Sequence, residues 1–199
     1  LAAINLGIIK GFFVESFALQ IENWIIKNFD IVSTISYSML NYLHKKRINL
    51  KKTYLLKNWV DIEEIKPLLE ISNSNNIYRK EFGINDQKIV LMFSGTMNEK
   101  QNFRLLVSII KRTSLMKDVF WCVACDGPYK KKLIKETKKI NNIIVLGLQP
   151  KEKLNTWLNA ADIHIVPQKS SIEDLVFPSK VSSILASGRP IIATAKKQS

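Results

Sequence analysis

Five short apolar runs in the second half of the chain predict β-strands, and the stretches between them have helical spacing. The strands are expected at Lys88–Phe93, Val119–Cys125, Ile143–Leu146, Ile163–Val166 and Ile191–Thr194. Continuous apolar runs are typical of strands buried on both faces, as in a parallel sheet covered by helices. The pattern therefore predicts an α/β fold with a doubly wound, Rossmann-like parallel sheet. In such a sheet, ligands bind at the carboxyl ends of the strands.

The first 66 residues are expected to form the C-terminal part of a separate α/β domain. The predicted elements are a helix at Gly11–Phe29, a strand at Ile31–Ile35, a helix at Tyr37–Lys46 and a strand at Thr53–Leu56. Residues 67–87 are more polar, with Ser72–Asn76 the least regular part, so a linker is predicted there. Residues 88–199 are then the second domain.

The charge of the chain favours an acidic partner. The 199 residues carry a formal net charge of +13, and 46% of them are apolar, which is enough for a packed core. A phosphorylated ligand, an anionic membrane surface or nucleic acid would suit this charge. No zinc finger, RNA-recognition motif or basic zipper accompanies it, so we expect no nucleic acid.

The densest group of lysines lies on a helix predicted to begin near Pro128. Leu133, Ile134 and Ile140 are expected to contact the core from this helix. The opposite face carries Lys131, Lys135, Lys138 and Lys139. A solvated helix face is the favoured interpretation of these lysines.

Cys122 and Cys125 have the spacing of a redox or metal-binding pair. Because they lie three residues apart in a predicted strand, their side chains point to opposite faces and cannot easily share a metal or a bond. We interpret both as core residues and expect a reducing compartment. His164 also lies in a predicted strand, and we interpret it as a core histidine rather than a catalyst.

The apolar first thirty residues do not predict a membrane span. Lys10, Glu15, Glu22 and Lys27 interrupt every run that could reach the roughly 20 residues needed to cross a bilayer. No basic start and small-residue cleavage site indicates a secretion signal. The sequence therefore predicts a cytoplasmic protein.

A helix start after the fourth strand is the most informative feature of the chain. The run Pro178-Ser179-Lys180 is predicted to open a helix that Gly188-Arg189-Pro190 ends. Proline and serine are ordinary there, but a lysine opposes the positive end of the helix dipole at a cost of ~0.3–1 kcal/mol. A bound anion would resolve the conflict by taking backbone amides and the ammonium together. A solvated lysine without a role is the alternative.

Loops after the other strands add candidate ligand contacts. In the run Ser94–Gln101, Gly95 allows close approach of a ligand, and Lys100 is again expected at a helix start. This loop lacks the spacing of a Walker phosphate-binding loop, and a plain strand-to-helix turn is the alternative. Asp126-Gly127-Pro128 reads as a turn into the next helix. Backbone atoms of Gly147-Leu148 could lie against a flat base. Glu173-Asp174 could contact ribose or sugar hydroxyls, and solvation at the surface is the alternative for this pair.

The order of these motifs resembles the donor-binding domain of family 4 (group 1) glycosyltransferases. The likeness is strongest to the bacterial branch that includes colanic-acid and other exopolysaccharide enzymes, and it covers roughly Phe29 to Ala195. Asn58-Trp59-Val60-Asp61 resembles the turn that closes the acceptor domain in that family. The motifs that carry the resemblance are Gly95 with Lys100, Asp126-Gly127-Pro128, Gly147, Ala161-Asp162 with Pro167, Pro178-Ser179-Lys180 and Ala186–Ile192.

The resemblance implies a two-domain GT-B fold and a retaining transfer of sugar from a nucleotide-sugar donor, without a metal or other cofactor. Lys100, Lys180 and the amides near Ser179 would stabilise the leaving diphosphate, an electrostatic role. The nucleotide base would lie near Gly147-Leu148. The full set of implied donor contacts is Gly95, Thr96, Asp126, Gly127, Gly147, Leu148, Gln168, Glu173, Asp174, Pro178 and Ser179.

Two departures from the family pattern affect the expected site. Thr96 and Met97 follow the first-loop glycine, where the family often has an arginine. Leu175 and Ser183 occupy the places of two glutamates that are often eight residues apart. Ribose recognition by the second glutamate is therefore not expected here, and Glu173 or Asp174 would have to substitute.

The resemblance also implies a longer protein. The chain begins with Leu1, and its first domain is shorter than is usual in the family, so we expect it to represent part of an enzyme. A saccharide or polyprenyl-linked acceptor and a peripheral contact with the plasma membrane are the implied partners, because Lys45-Lys46-Arg47 adjoins apolar residues. Two alternatives remain: a nucleotide-sugar epimerase on the same fold, and a non-enzymatic basic α/β module.

Overall fold

The computed structural model describes residues 2–68, 75–169 and 177–194. The contacts between Cα atoms divide the chain into two compact units. The first is built mainly on residues 1–59, and the second comprises Val60–Gln168 and Ser179–Thr194. The second unit thus begins ahead of the segment 67–87 that the sequence predicts as a linker, and Ile77–Glu81 of that segment is helical.

The first unit contains the helices and strands that the sequence predicts there. Its elements are α1 (Ala2–Asn5), α2 (Phe12–Asn28), β1 (Val32–Thr34), α3 (Tyr37–Lys45), a 3-10 helix (Leu50–Lys52) and β2 (Thr53–Leu55). Strands β1 and β2 pair in parallel. The Ser36 side chain caps α3 by accepting a hydrogen bond from the Met39 amide, so the helix begins at the first position after a good capping residue.

Helix α2 exposes one apolar face. Five exposed side chains lie within about a third of a turn around the helix axis. They are Phe13, Phe17, Ile21, Trp24 and Ile25. We call these five residues the α2 stripe. None of the helices that the structure describes is long and apolar enough to cross a membrane.

The opposite side of α2 is tied to α3 by a polar cluster. The Lys46 ammonium donates to the Glu22 carboxylate at 2.6 Å and lies 4.6 Å from the centre of the Tyr42 ring. The Tyr42 hydroxyl donates to the same carboxylate at 3.2 Å. Although its partial burial opposes ionisation, Glu22 has a lowered pKa because Lys46 stabilises the carboxylate.

The second unit is built on a five-stranded parallel sheet in the order β5-β4-β3-β6-β7. Its strands are β3 (Ile89–Thr96), β4 (Val119–Asp126), β5 (Ile143–Leu146), β6 (Ile163–Val166) and β7 (Ile191–Ala193). Its helices are α4 (Ile77–Glu81), α5 (Phe103–Thr113), α6 (Lys130–Thr137), α7 (Leu154–Asn159, after a 3-10 turn at Lys151–Lys153) and α8 (Lys180–Ala186). The five strands confirm the sequence prediction.

Helices cover both faces of this sheet. Strand residues Met92 and Cys122 belong to one core with Trp157 of α7, whereas Phe93 and Cys125 belong to a second core with residues of α5 and α6. The alternation follows from the two-residue period of a strand. The doubly wound arrangement is confirmed, and so is the placement of the two cysteines on opposite faces of the sheet.

The buried environment makes both thiols unreactive. Both cysteines are fully buried and neither forms a disulfide. Burial raises the pKa of Cys122 to about 12 and also raises the pKa of Cys125, because a thiolate is poorly solvated in the core.

One detail of helix α6 differs from the sequence prediction. Leu133 is fully buried as expected, but Ile134 is 46% exposed. Thr137, four residues after Leu133, occupies the next core position instead, and its hydroxyl donates to the Leu133 carbonyl at 2.9 Å. The prediction failed because a hydroxyl that is satisfied within its own helix can be buried like an apolar group.

A buried ion pair attaches α4 to the sheet. The Arg79 side chain has no exposed surface, and its Nη2 lies 2.7 Å from Oδ2 of Asp162. Arg79 Nε also donates to the Ala160 carbonyl, and Asp162 Oδ2 also accepts from the Val90 amide at 2.7 Å. Asp162, a residue of the family resemblance, is thus part of a structural network at the start of β6.

His164 has the structural role that its place in a strand predicts. It is 1% exposed, its Nε2 donates to the Leu158 carbonyl at 3.0 Å, and its Nδ1 has no partner among the described residues. Burial lowers the pKa of His164 to about 4, because the imidazolium form would lose its hydration.

We expect the free energy of unfolding to fall by about 2 kcal/mol between pH 7.5 and pH 5 on account of His164. In this range the unfolded chain takes up a proton on the imidazole and the folded chain does not, so acidification favours unfolding. Urea titrations at both pH values measure the loss. In His164→Gln, which keeps an N–H donor but does not titrate, the drop should be smaller by that amount; an unchanged drop would contradict the prediction.

Candidate functional site

The loops at the carboxyl ends of β3 and β4 meet through backbone contacts. Thr96 lies opposite Asp126 in the last pair of the ladder, and the Met97 amide donates to the Asp126 carbonyl at 2.6 Å. Gly127 follows with a φ of +109°, and a Cβ added there would lie 2.8 Å from the Met97 carbonyl oxygen. Gly127 is therefore required both for the turn and for the close approach of the two loops.

Side chains reinforce the junction of these two loops. The Tyr129 hydroxyl donates to the Glu99 carboxylate. The Tyr129 ring stacks on Phe103, the first residue of α5, with centroids 5.3 Å apart. Because Glu99 and Tyr129 come from different loops, the pair fixes the β3 loop against the start of α6.

Lys180 is the cation that reaches the end of β3. As the sequence predicts, it is the first residue of α8, and Ser179 precedes it at the capping position. The Lys180 ammonium donates to the Ser94 carbonyl at 3.1 Å and lies 4.2 Å from the centre of the Phe93 ring. A Cβ at Gly95 would lie 3.5 Å from the same nitrogen, so the space that the glycine leaves holds the lysine side chain.

The surroundings of Lys180 make its charge costly. Burial lowers the pKa of Lys180 to about 8, because the ammonium loses hydration and one carbonyl and one ring face replace it only in part. The ammonium remains mostly charged at pH 7. A partly desolvated cation of this kind interacts strongly with an anion, since little water screens the pair.

Lys100 differs from the sequence prediction in one respect. Helix α5 begins at Phe103 with Asn102 as its cap, so Lys100 lies in the preceding turn and not in the first turn of the helix. The Asn98 side chain accepts a hydrogen bond from its amide at 2.9 Å, and the residue is exposed. The dipole argument therefore does not apply to Lys100, although the residue follows the carboxyl end of β3.

The other predicted contacts are spread over the same edge of the sheet. Gly147 and Leu148 follow β5 and are exposed, with Leu148 at 50%. Gln168 follows β6, and its amide donates to the Thr194 hydroxyl at 2.9 Å. Pro178 and Ser179 precede α8, but the Ser179 side chain makes no capping hydrogen bond.

Of the two positions where the family often has glutamates, one lies within the described residues. Glu173 and Asp174 lie outside the described residues, as does Leu175. Ser183 lies within α8 and is half-buried. The site thus has a hydroxyl where the family often has the second glutamate.

Sequence reasoning missed Lys130 as a residue of this edge. Its ammonium lies 3.9 Å from the position of a Cβ at Gly147, and it is the first residue of α6. The helix-dipole argument that singles out Lys180 applies to Lys130 as well. The signal was overlooked because Lys130 opens a lysine run that reads as a solvated surface.

The sequence matches a known protein family. Residues 74–198 match the family of glycosyl transferases group 1, and this range covers more than half of the chain. The chain belongs to the group 1 glycosyl transferases. The family resemblance read from the motifs is therefore confirmed.

Two curated relatives of this group 1 chain are named as biosynthetic glycosyl transferases. WcaI of Escherichia coli K12, named for a glycosyl transferase of colanic acid biosynthesis, is 29% identical over 98% of this chain and 48% of its own length. TuaH of Bacillus subtilis 168, named for teichuronic acid biosynthesis, is 26% identical over 77% of this chain and 38% of its length. The chain thus spans about half the length of the curated relatives it matches, or less.

Solved structures of similar fold confirm the GT-B type. Anabaena HepE, crystallised with UDP and glucose, superposes with a TM-score of 0.72 at 14% identity over 89% of this chain and 48% of its own. Sucrose-phosphate synthase of Thermosynechococcus elongatus superposes with a TM-score of 0.73 at 15% identity over 97% of this chain and 48% of its own. At these identities the likeness concerns the fold of the group 1 chain.

Proposed function

We propose that the chain forms the donor side of a retaining glycosyltransferase of bacterial surface-polysaccharide synthesis. The enzyme transfers a sugar from a nucleotide-sugar donor to a saccharide or polyprenyl-linked acceptor. The single observation that carries the proposal is the Lys180 ammonium at the carboxyl end of β3, next to the Gly95 turn. Family membership and the names of WcaI and TuaH support the same reaction class.

The proposed chemistry places negative charge near Lys180. The bond between the anomeric carbon and the diphosphate oxygen breaks, and the diphosphate leaves with the electron pair. The acceptor hydroxyl forms the new bond on the same face of the sugar, and its proton goes to the leaving diphosphate. Lys180, Lys100 and the amides near Ser179 stabilise the leaving diphosphate without a metal ion. Gly147 and Leu148 contact the nucleotide base.

Titration of the chain with UDP, GDP, UDP-glucose and GDP-mannose tests this function. We expect saturable binding of one nucleotide series in the presence of EDTA, because protein cations neutralise the diphosphate in this proposal. Calorimetry measures the affinity. Binding that rises only with general anion concentration, and equally for heparin, would favour the basic-module alternative. Binding that requires a divalent cation would overturn the metal-independent arrangement.

We also propose that the first unit makes a peripheral contact with an anionic membrane. The α2 stripe exposes three aromatic side chains, and Trp24 among them is 68% exposed. Residues 1–59 carry eight Lys or Arg against three Asp or Glu. An exposed apolar helix face combined with basic residues suits a surface of acidic lipids, where both contributions add.

Phe13→Ser/Phe17→Ser is expected to reduce binding to phosphatidylglycerol vesicles severalfold, because it removes two aromatic anchors from the α2 stripe. Sedimentation with vesicles measures the bound fraction, and neutral phosphatidylcholine vesicles should retain little protein. Leu115→Ser, which changes a residue of the second unit that is 84% exposed, is the control and should bind like the wild type. Equal loss in both variants would contradict a specific role of α2.

A further inference from the structure

The indole N–H of Trp157 is buried and has a specific partner. Trp157 lies in α7 with no exposed surface, and its Nε1 donates to the Ser94 hydroxyl at 2.7 Å. The two residues are 63 positions apart, so the bond joins α7 to the end of β3 across the tertiary structure. A buried N–H that loses its acceptor carries the full cost of its desolvation, so this hydrogen bond strongly favours one orientation of the Ser94 side chain.

The same residue holds the Lys180 ammonium by its backbone. The Ser94 carbonyl accepts from Lys180 Nζ at 3.1 Å, while the Phe93 ring lies under the ammonium at 4.2 Å. Ser94 therefore has two partners from different elements. Trp157 contacts its side chain, and Lys180 contacts its main chain.

The carboxyl end of β3 receives little support from its neighbour β6. Strand β6 pairs with β3 only at Leu91 and Met92, whereas the pairing with β4 continues to Thr96. Residues 93–96 therefore extend beyond the β6 ladder. Because β6 does not pair with this part of β3, the Ser94 carbonyl is available to accept from Lys180. The Trp157 bond is a further contact at the same residue.

We propose that Trp157 and Ser94 are positioning residues for Lys180. The indole N–H fixes Ser94, and the carbonyl of Ser94 then directs the ammonium to the place where the donor diphosphate binds. The inference rests on the proposed function, since it concerns how the same cation is presented. Neither residue touches the donor itself.

Ser94→Ala and Trp157→Phe each remove this hydrogen bond, and neither removes the backbone carbonyl group that accepts from Lys180. We expect each to weaken the binding of UDP about three- to tenfold, while the affinity for uridine, which lacks the diphosphate, stays the same. If GDP proves to be the nucleotide bound, GDP and guanosine replace this pair of probes. The double variant should bind UDP no more weakly than the weaker-binding single variant, because both changes remove the same interaction.

A second tryptophan provides the matched control. Trp121 is also fully buried, and its Nε1 donates to the Thr113 hydroxyl at 2.8 Å. This pair lies toward the amino ends of the strands. Trp121→Phe and Thr113→Val should lower the melting temperature like the test variants. They should leave the ratio of UDP to uridine affinity unchanged.

The outcomes separate this inference from the proposed function. Selective loss of UDP affinity in Ser94→Ala, with the controls unchanged, supports the positioning role even if Trp157→Phe does not fold. Equal losses for UDP and uridine, or no loss in Ser94→Ala while Lys180→Ala weakens UDP binding, would overturn the inference alone. Absence of saturable binding of UDP and GDP to the wild type would overturn the proposed function and the inference with it.

Discussion

Lys180→Ala is expected, on the proposed function, to weaken the binding of UDP or GDP by about 100-fold. The estimate corresponds to the loss of one charge-assisted contact in a partly desolvated site. Lys180 is suited to this role because its ammonium is held against Ser94 and Phe93 and does not have to be ordered when the anion binds. Calorimetric titration with UDP and GDP measures the change, and the nucleosides should bind with unaltered affinity.

The pH dependence of the same measurement identifies the group. Because the pKa of Lys180 is lowered to about 8, the wild type should lose diphosphate affinity as the pH rises from 7 to 9. Lys180→Arg stays charged over this range and should show no such loss. Lys138→Ala, which removes an exposed lysine of the α6 region, is the control for net charge and should resemble the wild type. A comparable loss in Lys138→Ala would show that only overall charge matters.

Asp162→Ala is expected to lower the free energy of unfolding by about 3 kcal/mol or more. The variant leaves the Arg79 guanidinium, which has no exposed surface, without its charged partner. It also removes the acceptor of the Val90 amide near the start of β3. Urea denaturation followed by far-UV circular dichroism measures the loss.

Two further variants test whether the buried charge is the cause. Asp162→Asn keeps an acceptor for the Val90 amide but removes the negative charge, so it should lose most of the same stability. Arg79→Met/Asp162→Leu removes both charges and should be more stable than Asp162→Ala. Glu136→Ala breaks the exposed pair with Lys111 and should have little effect. If Glu136→Ala were as harmful as Asp162→Ala, burial would not be the reason.

Much of the sheet could be predicted from the sequence because its signals are local. Each strand of the second unit is a short apolar run bounded by turn residues, and Ile143–Leu146 and Ile163–Val166 agree with β5 and β6 at both ends. The start of α5 was harder to predict. The sequence offers several polar residues after β3, and the structure selects Asn102 as the cap two positions after Lys100. The sequence signals that a helix begins are local. Which of several polar residues becomes the cap depends also on how the helix packs in the fold.

The sequence points to a candidate site residue only where that residue conflicts with its own surroundings. Lys180 opposes the helix dipole, and that conflict can be read from three neighbouring residues. Ser94 and Trp157 show no local conflict. Their roles arise only when strand and helix pack together, so a single sequence contains no sign of them. Asp162 could be recognised as part of a motif, but its partner Arg79 lies in a segment that reads as a linker.

The two cysteines give the second unit a built-in reporter of local opening. Cys122 and Cys125 lie on opposite faces of one strand, each beneath a different layer of helices. A thiol that is buried and protonated reacts with an alkylating reagent only while its covering layer is displaced. The labelling rates of the two sulfurs therefore measure separately how often each side of the same sheet comes into contact with solvent.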